Sequence, residues 1–470
     1  MATNHLATVE TFLQDHPSST IKFIPPSSPE FATTREVWNG SRPDQPLAIV
    51  QPQSNEDVTV LIKFVKSNAI PFSIRSGGHN LEGLALVQDA LLIDLRALNS
   101  VTVASDRKSA TVGGGILQGD VIDKLWSQGL ATATGTIPHV GYYGWASYGG
   151  YGPFSSTWGL GVDQILSVTL VDPNGNFVKL EADDRLLKGI RGAGGVFGVI
   201  VDVTIKVYPA PSLLAGPIIY DSSDIRKSYT EVNTAYNELL KTETILPQLT
   251  LQRVCFNSPR GLAFAILFAW SGTEAEVETG QMWSQKIASL GPAKMNMVKQ
   301  TSIPEWISGA GANVPRIVYG SSWTYNVSSV TPEIAEAIGS NLAIIPADPG
   351  AMFSLHQVRG PSAAPQAHES LFNPREPHFM LEILGYAVSP EKQAESEAWA
   401  ERFSAELEKA ALSSGVLIPT AFVSIYSSAR SKSADDWVKK VYGDSAGELR
   451  NLKSFFDPEN LFKFTVPSLQ

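Results

Sequence analysis

The sequence predicts a two-domain α+β protein, and three observations carry that prediction. The chain has 470 residues, more than one hydrophobic core usually supports, so two or three domains are expected. Strand-like runs that alternate with helices and end in glycine occupy the stretch from about residue 46 to Tyr208. Beyond Pro209 and Pro211 the texture changes to alternating strands and long helices, which marks a domain boundary.

Taken in order, residues 47–50 form an apolar strand, followed through Pro52 by a helix. Ser54 supplies its N-cap, Glu56 and Asp57 its first-turn acids, and Val58, Val60, Leu61, Phe64 and Val65 its apolar face. Strands at 71–74, 91–95 and 111–115 and a helix at 121–128 continue a β-α-β rhythm as far as Tyr208. Past the boundary, 224–241 reads as an amphipathic helix, and 248–256 with 262–269 as a hairpin around Asn257-Ser-Pro-Arg-Gly261. Further strands are expected at 317–325, 379–386 and 421–426, with a long helix at 390–412. Strands with long helices over one face make an α+β layer.

Composition removes several functions. Acidic residues outnumber basic ones, 46 to 36, for a net charge of −10, and no Lys/Arg cluster exists to bind nucleic acid. No run of about 20 apolar residues exists, so no membrane span is expected. The N-terminal segment is interrupted by Glu10 and Asp15 and has no secretory h-region, so a cytoplasmic location is expected. Cys255 is the only cysteine, which excludes an intramolecular disulfide and a cysteine-based metal site. His139, His356, His368 and His378 lack metal-ligand spacing, so no metal is expected.

The residues that carry chemistry begin at Arg75-Ser-Gly-Gly-His79-Asn80, directly after a strand. Gly77 and Gly78 let the backbone approach a ligand and donate N–H groups into a concave nest. Arg75 can add a charge-assisted contact to phosphate, and His79 would sit beside whatever is cradled. Ser76 and Asn80 complete the loop. Further glycine clusters lie at Gly113-Gly-Gly115, at Gly135-Thr136 through Val140-Gly141, Gly144, Gly149-Gly150 and Gly152, and at Arg191-Gly-Ala-Gly-Gly-Val-Phe-Gly198-Val199. Four such clusters point to several loops closing on one large ligand. None is a P-loop, and none is a clean Gly-x-Gly-x-x-Gly followed by an acid at Rossmann distance.

With these motifs on the page, the chain resembles the FAD-linked oxidases of the vanillyl-alcohol oxidase and berberine-bridge-enzyme type. The likeness runs from near Trp38 to Phe462 and includes Leu92-Ile-Asp-Leu95, Gly159-Leu-Gly-Val-Asp163 and the closing Phe456-Asp-Pro-Glu-Asn-Leu-Phe462, which contributes Asn460. The 135–205 stretch looks most like the 6-hydroxynicotine oxidase branch. The resemblance implies a PCMH-type FAD-binding domain, built from residues 1–208 and again from 411–470, with a substrate domain over 209–410. It also implies FAD bonded to His79, hydride transfer from a small-molecule substrate, and O2 as acceptor.

The departures matter as much. Many relatives bond the flavin a second time through a cysteine where this chain has Ile137, so a single covalent bond is expected. Plant relatives often place a tyrosine where this chain has Leu81, and Tyr-x-Asn where it has Phe422-Val-Ser424. The usual base is therefore missing, which keeps a redox-neutral cyclase or isomerase as the alternative. Val140 sits where a small side chain in the family admits oxygen. Glu382, an acid inside a predicted strand, is the candidate general base, and strand alternation leaves its face open. Tyr142, Tyr143, Tyr148, Trp323, Tyr325 and Tyr426 are pocket candidates, of which Tyr143 and Tyr426 join Glu382 as catalytic candidates.

Overall fold

The computed structural model describes residues 2–469 apart from 17–19, 313, 365–368 and 428–430, so His368 lies outside the described residues. Near the N-terminus, strands Ala48–Gln51, Leu91–Asp94 and Phe72–Arg75 run parallel, with Lys22–Ile24 antiparallel at the edge. Helix Asn55–Ser67 makes the crossover. Ser54 Oγ accepts from the Asp57 N–H while the Asp57 carboxylate accepts from the Ser54 N–H, a reciprocal cap that starts the helix where the sequence predicts. Val58, Leu61, Ile62, Phe64 and Val65 bury its apolar face against the sheet.

The β-α-β rhythm then stops, contrary to the sequence expectation. Strands between residues 101 and 206 form a five-stranded antiparallel sheet in the order Val101–Val103, Ser109–Gly113, Val199–Lys206, Ile165–Val171, Phe177–Leu180. Within Val199–Lys206, buried and half-buried side chains alternate from Val201 onward, the mark of an antiparallel strand with one covered face. Helix Gln118–Trp126 leaves this sheet rather than bridging parallel neighbours.

At Ser212 the chain enters a nine-stranded antiparallel sheet. Its central strands are ordered Ser212–Tyr220, Gly261–Gly272, Leu249–Ser258, Ala351–Val358, His378–Ala387, Tyr319–Val327. One face packs Phe264, Phe353, Leu381 and Ile383 against helices Ile225–Thr242, Pro332–Leu342 and Gln393–Ser413. The other face turns toward the small sheets. This is the two-domain α+β fold.

The strand expected at 421–426 does not form. Among the described residues of this segment Leu417–Ile418 pairs with the sheet edge, and Pro419 then ends the ladder. The chain turns, with the Ile425 and Tyr426 N–H groups donating to the Phe422 carbonyl. Helices Ala434–Tyr442 and Ala446–Phe456 follow, and the second packs against Arg185–Ala193 of the N-terminal region.

Candidate active site

A cavity of about 1320 Å³ separates the open face of the large sheet from the glycine loops, more than one drug-sized ligand requires. Its two walls are built differently.

The loop wall is made of backbone. A Cβ on Gly77 would lie 2.1 Å from the Gly141 nitrogen, and one on Gly141 would lie 2.5 Å from the Gly77 nitrogen, so the two loops touch main chain to main chain. Gly144 and Gly195 line the cavity, and a Cβ on either would meet nothing within 4 Å. That is space held open for a ligand. Ser76 Oγ donates to the Gly114 carbonyl at 2.9 Å, and Asn80 Oδ1 accepts from the Glu82 and Leu84 N–H groups, which shapes the turn after His79. Gly78, Gly135, Thr136, Val140, Gly198 and Val199 complete this wall.

His79 stands on that wall with Trp38 stacked at 5.7 Å between ring centroids. Its Nε2 lies 2.5 Å from Nδ1 of His139, leaving Nδ1 of His79 without a protein partner among the described residues. Burial, with His139 and Arg316 adding to it, pushes His79 down to about 3. Burial and Arg316 push His139 down to about 4. Both rings are therefore neutral at physiological pH.

Several predicted residues are placed elsewhere or do something else. Arg75 reaches the cavity edge, but its guanidinium is fully buried on Asp94, Nη2 to Oδ2 at 2.6 Å, and also donates to the Glu36 carbonyl. Burial alone would raise the Asp94 carboxyl, and Arg75 with Arg96 outweighs it and holds it low. Taking one partner from such a pair costs about 3–5 kcal/mol, so Arg75 braces the loop and is not free for a phosphate. Gly149, Gly150 and Gly152 are packing glycines away from the cavity: a Cβ on them would strike Phe372, Gly161 and the Thr134 carbonyl respectively. Asn460, with φ of 50°, belongs to a turn around Asp457, whose carboxylate accepts from Lys453 Nζ and the Leu461 and Phe462 N–H groups. That turn closes the domain and leaves the cavity to Phe464, Thr465 and Val466.

Of the six aromatic candidates, Tyr143 and Tyr148 line the cavity. The Tyr143 hydroxyl is itself buried, and burial raises it well above the ordinary phenol value, so Tyr143 is a wall and not a base. Tyr148 Oη donates to the Val466 carbonyl at 2.6 Å. Trp323 packs in the core on the far side of the sheet, and Tyr325 Oη pairs with Ser404 of the covering helix. Tyr142 is buried in the core of the N-terminal region. Tyr426 lies off the cavity beside Trp437, because the turn at Phe422 sends Phe422 through Ile425 to the cavity and Tyr426 past it.

The sheet wall is made of side chains. Ile219, Val254, Phe256, Ala265, Leu267, Met352 and Leu384 present an apolar surface. Glu382 shares the face of Leu384 and lines the cavity, whereas Leu381 and Ile383 are buried in the core behind. Glu382 is not alone. Cross-strand register sets Ser354 opposite Glu382 and Gln252 opposite His356. Gln252 Nε2 donates to Ser354 Oγ at 2.9 Å, Ser354 Oγ lies 3.0 Å from His356 Nε2, and that nitrogen lies 3.1 Å from Glu382 Oε2. His356 Nδ1 is buried without a partner among the described residues. An orphaned buried N–H is rarer than an orphaned lone pair, so we assign the proton to Nε2, from which His356 donates to Glu382. Sequence reading missed this network because its members lie 104 and 26 residues apart along the chain and meet only through strand register. Gly195, by contrast, was visible inside the Arg191–Gly198 motif.

The residues present fit FAD: a backbone cradle with two cavity-facing glycines, a neutral histidine with one nitrogen unengaged, and a volume beyond a single small ligand. Comparison with known proteins agrees. The FAD binding domain family matches residues 46–181, and the berberine and berberine-like family matches 418–467. FAD-linked oxidoreductase aurO of Gibberella zeae is 29% identical over 94% of this chain and 85% of its own length. (R)-6-hydroxynicotine oxidase of Paenarthrobacter nicotinovorans is 34% identical over 46% of this chain and 48% of its own. The structure of glucooligosaccharide oxidase from Acremonium strictum, described with a 6-S-cysteinyl, 8α-N1-histidyl FAD, superposes with a TM-score of 0.81 at 18% identity, covering 97% of each chain. Fold, site and matches define an FAD-dependent oxidoreductase. Over most of its length the chain is similar to FAD-linked oxidoreductases of the vanillyl-alcohol oxidase and berberine-bridge-enzyme type.

Proposed function

We propose that this protein oxidises a small, largely apolar organic molecule at a carbon bearing oxygen or nitrogen, using FAD bonded once through His79 and dioxygen as the final acceptor. The observation that carries the reading is the opposition, across one cavity, of His79 on a backbone cradle and Glu382 in an apolar wall. Residues 1–208 and 411–470 serve the cofactor in this reading, and 209–410 the substrate.

His79, Gly77, Gly78, Thr136, Gly144, Gly195 and Val199 would hold the FAD. Once bound, FAD supplies an acceptor for hydride, which the protein alone lacks. The apolar residues of the sheet wall exclude water and orient the substrate. His356 holds one oxygen of Glu382, so the other is available to take a proton from a substrate O–H or N–H, a step that typically contributes about 10²–10⁴-fold. Ile137 stands where relatives place a second attachment, which supports a single bond. Val140 lines the cavity and supports access for dioxygen.

Two measurements test this. Acid-precipitated protein is expected to remain yellow and fluorescent, and His79→Ala to lose both; a flavin peptide mapped to another residue refutes the linkage. A panel of aromatic alcohols and amines, scored anaerobically, is expected to include a compound that bleaches the flavin. A compound converted without bleaching and without hydrogen peroxide in air would replace this reading with the redox-neutral one.

A further inference from the structure

The open face of the large sheet carries a pattern that runs across its strands, and the reaction proposed above uses only one end of it. Glu382, Ser354, Val254, Ala265 and Ile219 stand directly opposite one another on five successive strands. Opposed residues share a face, so the five form one transverse row, about 19 Å long at the usual strand spacing. Along their own strands, Ser354 is flanked on this face by Met352 and His356, and Val254 by Phe256 and Gln252. The smaller side chains of the row make it the floor of a trough there. Its two ends differ. Beyond Glu382 the row continues to Thr324, on a strand whose face is covered by the 420–425 segment: Ser322 Oγ donates to the Ile425 carbonyl at 2.8 Å, and Asn326 Nδ2 to the Thr420 carbonyl at 3.1 Å. Beyond Ile219 comes the sheet edge, where Met297 lines the cavity and is 48% exposed. The trough is closed at the acid and open at the far side.

We propose that the substrate is an elongated molecule with an uncharged, apolar body, oxidised at one terminus, and that Val254, Ala265 and Ile219 select it by length. The inference rests on the oxidation at Glu382 proposed above and names the substrate class of that site. Polar groups gather at the closed end, where Gln252, Ser354, His356 and Glu382 are linked by hydrogen bonds. From Val254 to Ile219 the row presents only hydrocarbon. Four residues with a formal charge line the cavity among the described residues: Glu382, Arg75, which is held by Asp94, and Lys299 with Glu305, which pair with each other at 3.2 Å. None is an unpaired cation, so a carboxylate or phosphate on the substrate body would be desolvated without a partner. A sugar chain is disfavoured for a related reason, since its hydroxyls would lie on Val254, Ala265 and Ile219 with nothing to bond. An apolar body gains along the whole row instead. The O–H or N–H terminus then enters first and meets Glu382, the body lies over Val254 and Ala265, and the tail leaves past Ile219 toward Met297.

The test uses full-length holoprotein and a series of 4-alkoxybenzyl alcohols from methoxy to hexyloxy, with dissociation constants read anaerobically from the change in flavin absorbance. Wild type is expected to bind each successive member about fourfold more tightly, the effect of taking one methylene group out of water. Replacing the terminal methyl of the longest member by a carboxylate is expected to weaken binding at least tenfold, and a tetrameric glucose oligosaccharide is expected to leave the flavin spectrum unchanged. Ala265→Leu fills the middle of the row and is expected to flatten the dependence on chain length. Ile219→Thr keeps a β-branched residue on the strand and is expected to flatten it for the longest members alone, so the proposal stays testable if the first variant does not fold. Equal affinity across the series in wild type overturns the inference, as does an undiminished slope in both variants or tighter binding of the oligosaccharide. Bleaching by every member at equal affinity removes the trough and leaves the oxidation standing. Length-dependent binding with no bleaching by any member supports the trough and counts against the oxidation.

Discussion

The two walls of the cavity are specified by opposite means. The loop wall is bare of side chains where it matters: Gly77 and Gly141 leave no room for a Cβ, and Gly144 and Gly195 face open cavity space. The sheet wall consists of side chains, with one polar network of Gln252, Ser354, His356 and Glu382 set in an apolar surface. A backbone wall suits a constant ligand such as a cofactor, because a larger residue at its close contacts breaks the loop packing. A side-chain wall on a rigid sheet can change one residue at a time and keep its ladder, so it suits a substrate that differs between relatives.

The sharpest way to break this comparison is at the polar network. Glu382→Gln keeps shape and removes the proton acceptor, and it is expected to slow anaerobic flavin reduction by about 10²–10⁴-fold with the substrate that the panel identifies. The protein should stay folded and yellow. An unchanged reduction rate would remove Glu382 from the chemistry and favour an amine that reacts from its neutral form.

Glycine substitutions separate the two jobs within the loop wall. Gly144→Leu is expected to leave the melting temperature of FAD-free protein unchanged while weakening FAD binding at least tenfold, about 1.4 kcal/mol. Gly77→Ala places a Cβ 2.1 Å from backbone and is expected to lower stability as well. Equal losses of stability in both variants would show that Gly144 is packed rather than open.

Val140→Ile adds one methyl group to the cavity lining, a change the wall can accommodate without gross overpacking. Reoxidation of photoreduced flavin is expected to slow by roughly tenfold, the size expected if the methyl group narrows an oxygen path by about 1.4 kcal/mol of barrier. Equal stopped-flow rates would remove the gate. The smallest effect is expected at Tyr426→Phe. Among the described residues its hydroxyl accepts from Ser431 at 3.4 Å, and it lies off the cavity, so reduction rate and acid-stable flavin should match wild type.

Much of the loop wall was legible because its signals are local. Glycine at strand ends, a histidine closing a glycine turn and a capping Ser54 act within a few residues of themselves. The errors there came from reading every glycine as a ligand contact. Gly149, Gly150 and Gly152 have the same composition as Gly144 but meet Phe372, Gly161 and Thr134 instead of open space. Similarly, Arg75 looked like a phosphate ligand until Asp94, on the neighbouring parallel strand, supplied its partner.

By itself, then, the sequence determined the two-domain α+β class, the strand–helix–strand start, the His79 loop, and the presence of an acid on the 378–387 strand. Each of these rests on spacing that the chain carries within one element. Tertiary structure decided which face Glu382 takes, because alternation offers two faces and only the helices packed on the far side select one. It brought His356 and Gln252 to that acid through cross-strand register, and His139 to His79 through the contact of two glycine loops. It also sent Tyr426 and Asn460 away from the cavity, where Pro419 ends a ladder and Asp457 gathers a turn. Such partners depend on distances between segments far apart in the chain, and hydrophobic periodicity and turn chemistry do not encode those distances.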